Sequence, residues 1–371
     1  MPTRSLGLPV STEGPDILMP HARRIPGAEV AAGPSTTPIE GDPPVTCIRY
    51  LLCAAALAAT SAPSAARDTV APGYRIDSAI RIPLYASFTA LSGGEVLIFD
   101  GVDVYGWFPH SRFSSYVGST STFGYPSFVR VDPTRTFAIL GESSHGNLYR
   151  AEFGTEQVEP FAQVPLNFDA AWEDARHFLL SAAPCMLICG NDILRVDASS
   201  GTRSLVAHVP GPSGPIALSA DGALYYGRQS TIYPPPAGSL SVLRWSAAKI
   251  RRGDALSEAD AEVVVAGLDG IGSIDIDPVR GHLWVAESRA SGGSEILEYL
   301  LDGEPLGAVV SSPNWIANVD VAAVSTPAHP DRLRRMGAPL VLRYASIDYN
   351  LGRSDLVTVL SSSITVPPAH R

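Results

Sequence analysis

The chain has 371 residues, of which 45% are hydrophobic and 17% charged, and it carries a formal charge of −10. Such a composition supplies a packed core for one large domain or two ordinary ones. The acidic balance excludes a nucleic-acid partner, because phosphate binding needs concentrated positive charge; the 33 glycines and 32 prolines call for turns and short elements rather than long helices.

Residues 1–44 are rich in Pro, Gly, Ser and Thr without apolar periodicity, so they read as a disordered extension or as the product of a start codon placed too far upstream. Residues 45–66 follow the layout of a secretory signal peptide. Arg49 precedes an apolar run from Tyr50 to Ala59, and a small-residue region ends at Ser64-Ala65-Ala66, with cleavage expected before Arg67. The run is shorter than the ~20 apolar residues a bilayer span needs. The expectation is an exported chain, periplasmic or extracellular, with no transmembrane segment in its mature part. Cys53 stands at the start of the run rather than after it, which speaks against a lipid anchor. Basic residues other than Lys249 are arginine, a usage that suits a GC-rich bacterial genome.

From 67 to 371 the chain reads as a single domain of short strands. "YRIDSAIRIPL" from Tyr74 alternates like an outer strand, and hairpins then recur with starts near residues 88, 128, 168, 216 and 273. Each is an apolar alternating strand, a tight turn and a second apolar strand. The turns fall at Gly93-Gly94, Asp132-Pro133, near Asp174, at Asp221-Gly222 and at Asp277-Pro278, and a sixth hairpin begins near Asn318. Asp132 and Asp277 are expected to bond local backbone, as Asp does at tight turns. "KIRRGDALSEADAE" after Trp245 is a polar insertion that lengthens one interval. Cys185 and Cys189 sit too far apart to bridge along one straight strand, ~13 Å at ~3.3 Å per residue. A disulfide needs the segment to bend, and two buried, reduced cysteines in a core strand are the expectation.

Further strands lie between the hairpins, so each unit holds about four. A four-stranded antiparallel sheet cannot cover both its apolar faces alone, and neighbouring units must stack. Radial stacking of such units makes an all-β, six-bladed β-propeller. The strand near Ser78–Leu84 is expected to pair with the C-terminal "SDLVTVLSSSITVP" and close the ring, which removes an open edge.

"GHLWVAES" followed by "SEILEYLLDGEPLG" resembles the blade signature of NHL-type propellers and of the regucalcin/gluconolactonase group. The resemblance spans most of residues 75–365 and implies a propeller, and in that group's enzymes a divalent metal such as calcium, held by Glu, Asn and Asp side chains at the channel mouth. Laid on those motifs, Gly214 falls at the asparagine position and Gly272 at the aspartate position. Asp269 could serve only with a shifted register. "TEGP" at Thr12 mimics the glutamate motif but lies upstream of the leader-like segment, and "SAIRIPLYASFTALSGG" offers no glutamate. Glycine has no side-chain ligand, so no cofactor is expected, calcium being the alternative.

Other chemistry is thinly represented. The chain lacks the G-x-S-x-G serine elbow, a phosphate loop, a dinucleotide fingerprint and H-E-x-x-H. His145 is expected in an exposed loop and His177 in the framework. Asp275, Asn318 and Asp320 on innermost strands are candidates to face the channel, while Tyr105 and Trp107, in an aromatic-rich stretch, suit stacking of a sugar or peptide. The expectation is a monomeric, non-enzymatic module that binds a small molecule, a carbohydrate or a protein. The alternative is a lactonase or esterase-type hydrolase with a rearranged metal site.

Overall fold

The computed structural model describes residues 67–91, 95–108, 113–121, 123–185, 189–323 and 340–361. Residues 1–66, with the leader-like segment, Cys53 and the "TEGP" motif, lie outside that set.

Six antiparallel sheets form the six blades of a β-propeller. Their innermost strands are Ser87–Ala90, Pro126–Val131, Asp169–Trp172, Ile216–Leu218, Ile271–Ile276 and Trp315–Ala323, in blades 1 to 6. The strands of the five internal hairpins stand where alternation placed them, the Gly93-Gly94 turn of the first lying outside the described residues. In the sixth, the return strand is Leu340–Asp348, so its turn falls outside the described residues.

The blades stack because each has two apolar faces. Six buried clusters result, one at every blade-to-blade interface, each containing residues of both blades. Phe128 of blade 2 packs with Phe178 of blade 3, for example, and Phe88 of blade 1 packs with Ala345 and Leu356 of blade 6. Fully burying side chains of this size stabilises by roughly 1.5–3 kcal/mol each. No blade has a core of its own.

Closure follows the expectation. Tyr74–Ile82 pairs antiparallel with Arg353–Ser361 as the outer strand of blade 6, in the register Ser78↔Thr358 and Ile82↔Ser354. Ahead of it, Thr69–Val70 adds a fifth strand to blade 5 beside Pro305–Ser312. Asp68 ties this strap down, accepting the Ser312 Oγ hydrogen at 2.6 Å and that of the buried Tyr344 hydroxyl at 2.7 Å.

Blade 4's polar insertion forms a short helix, Ala247–Arg252, and a strand, Leu256–Ser257. That strand lies parallel to Arg203–Val209 of blade 3 and covers its edge.

Asp132 is a turn residue, as expected: its carboxylate accepts the backbone N–H groups of Thr134, Thr136 and Phe137. Asp277 likewise accepts those of Val279 and Arg280. The cysteine expectation is corrected. The strand ends at Ala182, the chain turns back, and Cys185 and Cys189 come to a Cα separation of 5.5 Å and form a disulfide. Straight-strand geometry does not apply to a connection between strands.

Candidate functional site

The inner strands of all six blades surround a cavity of about 480 Å³ on the channel axis. It opens at the end where inner strands run into their first turns, so Leu91, Trp172, Leu218 and Pro278 line it from strand ends and turns. Its polar residues are Thr89, Arg130, Asp275 and Asp320, with the exposed Arg135 at the rim.

Each carboxylate on an inner strand reaches the backbone of the next blade. Asp169 of blade 3 accepts the Ile216 N–H of blade 4 at 3.1 Å. Asp275 of blade 5 accepts the Val321 N–H of blade 6 at 2.6 Å and, on its other oxygen, the Ile276 N–H at 2.8 Å. Asp320 of blade 6 accepts the Ala90 N–H of blade 1 at 2.8 Å and the Thr89 hydroxyl at 3.0 Å, both on Oδ2. These bonds satisfy N–H groups that an inner strand, with a neighbour on one side only, leaves unpaired.

Blade 2 places a cation on its inner strand, where blades 3, 5 and 6 place carboxylates. Arg130 donates from Nε to the Ala170 carbonyl at 2.7 Å and from Nη1 to the Val129 carbonyl at 3.0 Å; Nη2 meets Asp169 Oδ1 at 2.6 Å. Burial works against its charge, but the carboxylates of Asp169, Asp320 and Asp275 outweigh it and raise its pKa. A second guanidinium, of the buried Arg343, stands opposite Asp320 on the adjacent strand; burial lowers its pKa against the pull of Asp320. Asp275 lines the cavity and is half-buried. Burial first, and the neighbouring Asp320 second, push its carboxyl far above the usual carboxylate range.

Of the residues singled out from sequence, Asp275 and Asp320 meet at this cavity. Asn318 shares the strand with Asp320 but spends its amide on the Phe88 carbonyl at 3.3 Å, as another link between blades. Tyr105 and Trp107 pack against the core between blades 6 and 1, away from the cavity. Asp269 joins two loops, accepting the Gly238 N–H at 2.8 Å and the Ala290 N–H at 2.9 Å. His145 is an exposed turn residue held by buried Glu142, and His177 pairs with Asp174.

Sequence reasoning missed Arg130 and Asp169. The repeat held a usable signal: aligning Asp132-Pro133 with Asp277-Pro278 sets Arg130 on Asp275, two charges at one inner-strand position of otherwise apolar segments. It also missed a row of rings at the opposite end of the channel. Phe123, Tyr125, Tyr85, Tyr349 and Trp315 follow one another at centroid spacings of 6.0, 6.1, 6.3 and 5.9 Å. Their edge-on and tilted contacts fasten loops of blades 2, 1 and 6 together.

No family model matches the sequence, and no curated protein does. Solved structures do. The chain is similar to regucalcin, a calcium-binding protein of Agrobacterium tumefaciens, with 14% identity and a TM-score of 0.51 over 76% of this chain and 92% of that one. It is also similar to a chain in the mitotic checkpoint complex, at 13% identity and a TM-score of 0.50 over 81% and 98%. The likeness is one of fold.

The calcium site that the sequence resemblance implies can be tested on the glycines at the expected ligand positions. A Cβ on Gly214 would come within 2.0 Å of the Gly227 carbonyl oxygen, and one on Gly272 within 2.6 Å of the Ile316 carbonyl oxygen. Both glycines let two strands approach closely, so neither position has room for a ligating side chain. Both also lie at the beginnings of inner strands, at the far end of the channel from the cavity. Among the described residues, no three His, Cys, Asp or Glu side chains are grouped to hold a metal ion, and no helix is long and apolar enough to cross a membrane.

Proposed function

We propose that this protein is an exported binding module of the NHL and regucalcin type whose channel cavity holds a small organic molecule. One observation carries the reading: a single cavity of about 480 Å³ combines an apolar wall with a convergent Arg130, Asp275 and Asp320. Concave sites with few polar groups and a strongly shifted titratable residue are where ligands bind. Export rests on the layout of residues 45–66.

Support for binding over metal-dependent lactone hydrolysis comes from Gly214 and Gly272, whose close backbone contacts leave no space for ligands there. The test is a thermal-melt screen against small polar metabolites, run on the wild type and on Ala322→Leu, which fills part of the cavity. A ligand at a hundredfold excess over Kd stabilises by ~2.7 kcal/mol. Hits that disappear in Ala322→Leu are expected; hits that persist there would move the site elsewhere. Chelator-sensitive lactone opening by the wild type would reinstate the hydrolase.

A further inference from the structure

We infer that the ligand of the channel cavity is a small organic amine, its ammonium group seated against Asp275 and Asp320 and its apolar body against Leu91, Trp172 and Leu218. This deepens the reading that the cavity is the binding site, and rests on it.

The balance of charge in the channel favours a cation. Three carboxyl groups, Asp169, Asp275 and Asp320, share the channel interior with the partly buried guanidinium of Arg130 and the buried one of Arg343. Asp169 has Arg130 at 2.6 Å, whereas among the described residues neither Asp275 nor Asp320 forms an ion pair, although Arg343 stands opposite Asp320 in the strand register. Asp275 and Asp320 therefore lie beside each other as two carboxyl groups without a paired cation. A half-buried carboxyl placed beside another carboxylate favours its protonated form over an unpaired charge. An entering ammonium supplies the missing positive charge. Arg135 cannot substitute, because it stands at the exposed rim.

The donors and acceptors already in use favour it as well. Arg130 already serves two carbonyls and a carboxylate, so a ligand carboxylate would compete with bonds in place. Thr89 and Ala90 both donate to Oδ2 of Asp320, and among the described residues no hydrogen bond to its Oδ1 is made. That oxygen can accept from N–H of the ligand. A divalent metal fits poorly: calcium takes about six to eight oxygens, and here backbone N–H groups already point at both Asp275 oxygens. An ammonium asks for two or three acceptors on one side and tolerates an apolar wall on the other.

The experiment uses three probes sharing one ring: benzylamine, benzyl alcohol and benzoate, each titrated calorimetrically into the full chain. Benzylamine is expected to bind about tenfold tighter than benzyl alcohol, the difference between a charge-assisted and a neutral contact, with benzoate weakest. Its binding should release a proton as Asp275 ionises between Asp320 and Arg130, with Arg343 and Asp169 behind them. Affinity then rises as pH goes from about 6 to about 8, and heats vary with the buffer's ionisation enthalpy. Asp320→Asn should abolish the preference for the amine. If that variant does not fold, the wild-type proton release still decides. Equal or tighter binding of the alcohol or benzoate, binding without proton release, or displacement of benzylamine by calcium would overturn the amine. So would failure of all three while metabolite hits still vanish in Ala322→Leu; hits persisting in that variant would instead remove the cavity reading itself.

Discussion

Asp169 holds three donors at once: the Arg130 guanidinium, the Ile216 N–H of the next blade and its own neighbour's N–H at Ala170. Removing it leaves the Arg130 guanidinium without its counter-ion and the N–H groups of Ile216 and Ala170 without this acceptor, which costs more than the pair contributes. Asp169→Ala is therefore expected to destabilise by about 3 kcal/mol in urea denaturation, and the pair Asp169→Leu with Arg130→Met by clearly less. Equal losses in both variants would show that the ion pair has no special status. Asp275 gives a pH signature of known sign. Its folded pKa lies above its unfolded one, so the stability it contributes is full below about pH 4 and is lost as pH rises towards the raised folded value. The stability difference between wild type and Asp275→Asn should shrink steadily over that window. A flat difference would mean that Asp275 ionises as freely in the fold as out of it.

Hairpins were legible because everything that makes them is local. Alternation of apolar residues, and an Asp whose side chain bonds N–H groups two to five positions ahead at Asp132, are contained within one short segment. The strap at Thr69–Val70, the strand Leu256–Ser257 and the disulfide were not, since a two-residue strand has no period and a loop's bend is set by the strands it joins. For the same reason Asp275 and Asp320 stood out only as candidates. What makes them a pair is a ring that brings residues of blades 5 and 6 to one axis. Two of these elements yield predictions. Reducing the Cys185–Cys189 bridge, which closes a very short loop, should lower stability by no more than about 2 kcal/mol. Asp68→Ala strips the buried Tyr344 hydroxyl of its acceptor and should cost about 1–3 kcal/mol. Both are read from shifted denaturation midpoints at unchanged slope, and a slope change would indicate that the ring no longer unfolds as a unit.

At the scale of the molecule, six interface clusters and no blade-internal core make stability a property of the closed ring. Deleting residues 67–82 removes the outer strand of blade 6 and the strap on blade 5 together, baring two edges. Loss of cooperative unfolding, with aggregation, is the expected result in calorimetry and light scattering. A soluble truncated chain with one sharp transition would show that closure is dispensable.

The pairing of Tyr74 with Ser361 also sets a timetable. During synthesis the closing strand emerges first, and its partner emerges last, so it must wait while five blades and most of a sixth are made. Contacts so distant in sequence form slowly, because the loop between them is costly to close before anything rewards it. Throughout that interval, Tyr74–Ile82 is a strand with both edges free, a hazard at any appreciable concentration. Four of its nine side chains, Arg75, Asp77, Ser78 and Arg81, are polar or charged, and these are the residues that discourage a waiting strand from pairing with the wrong chain.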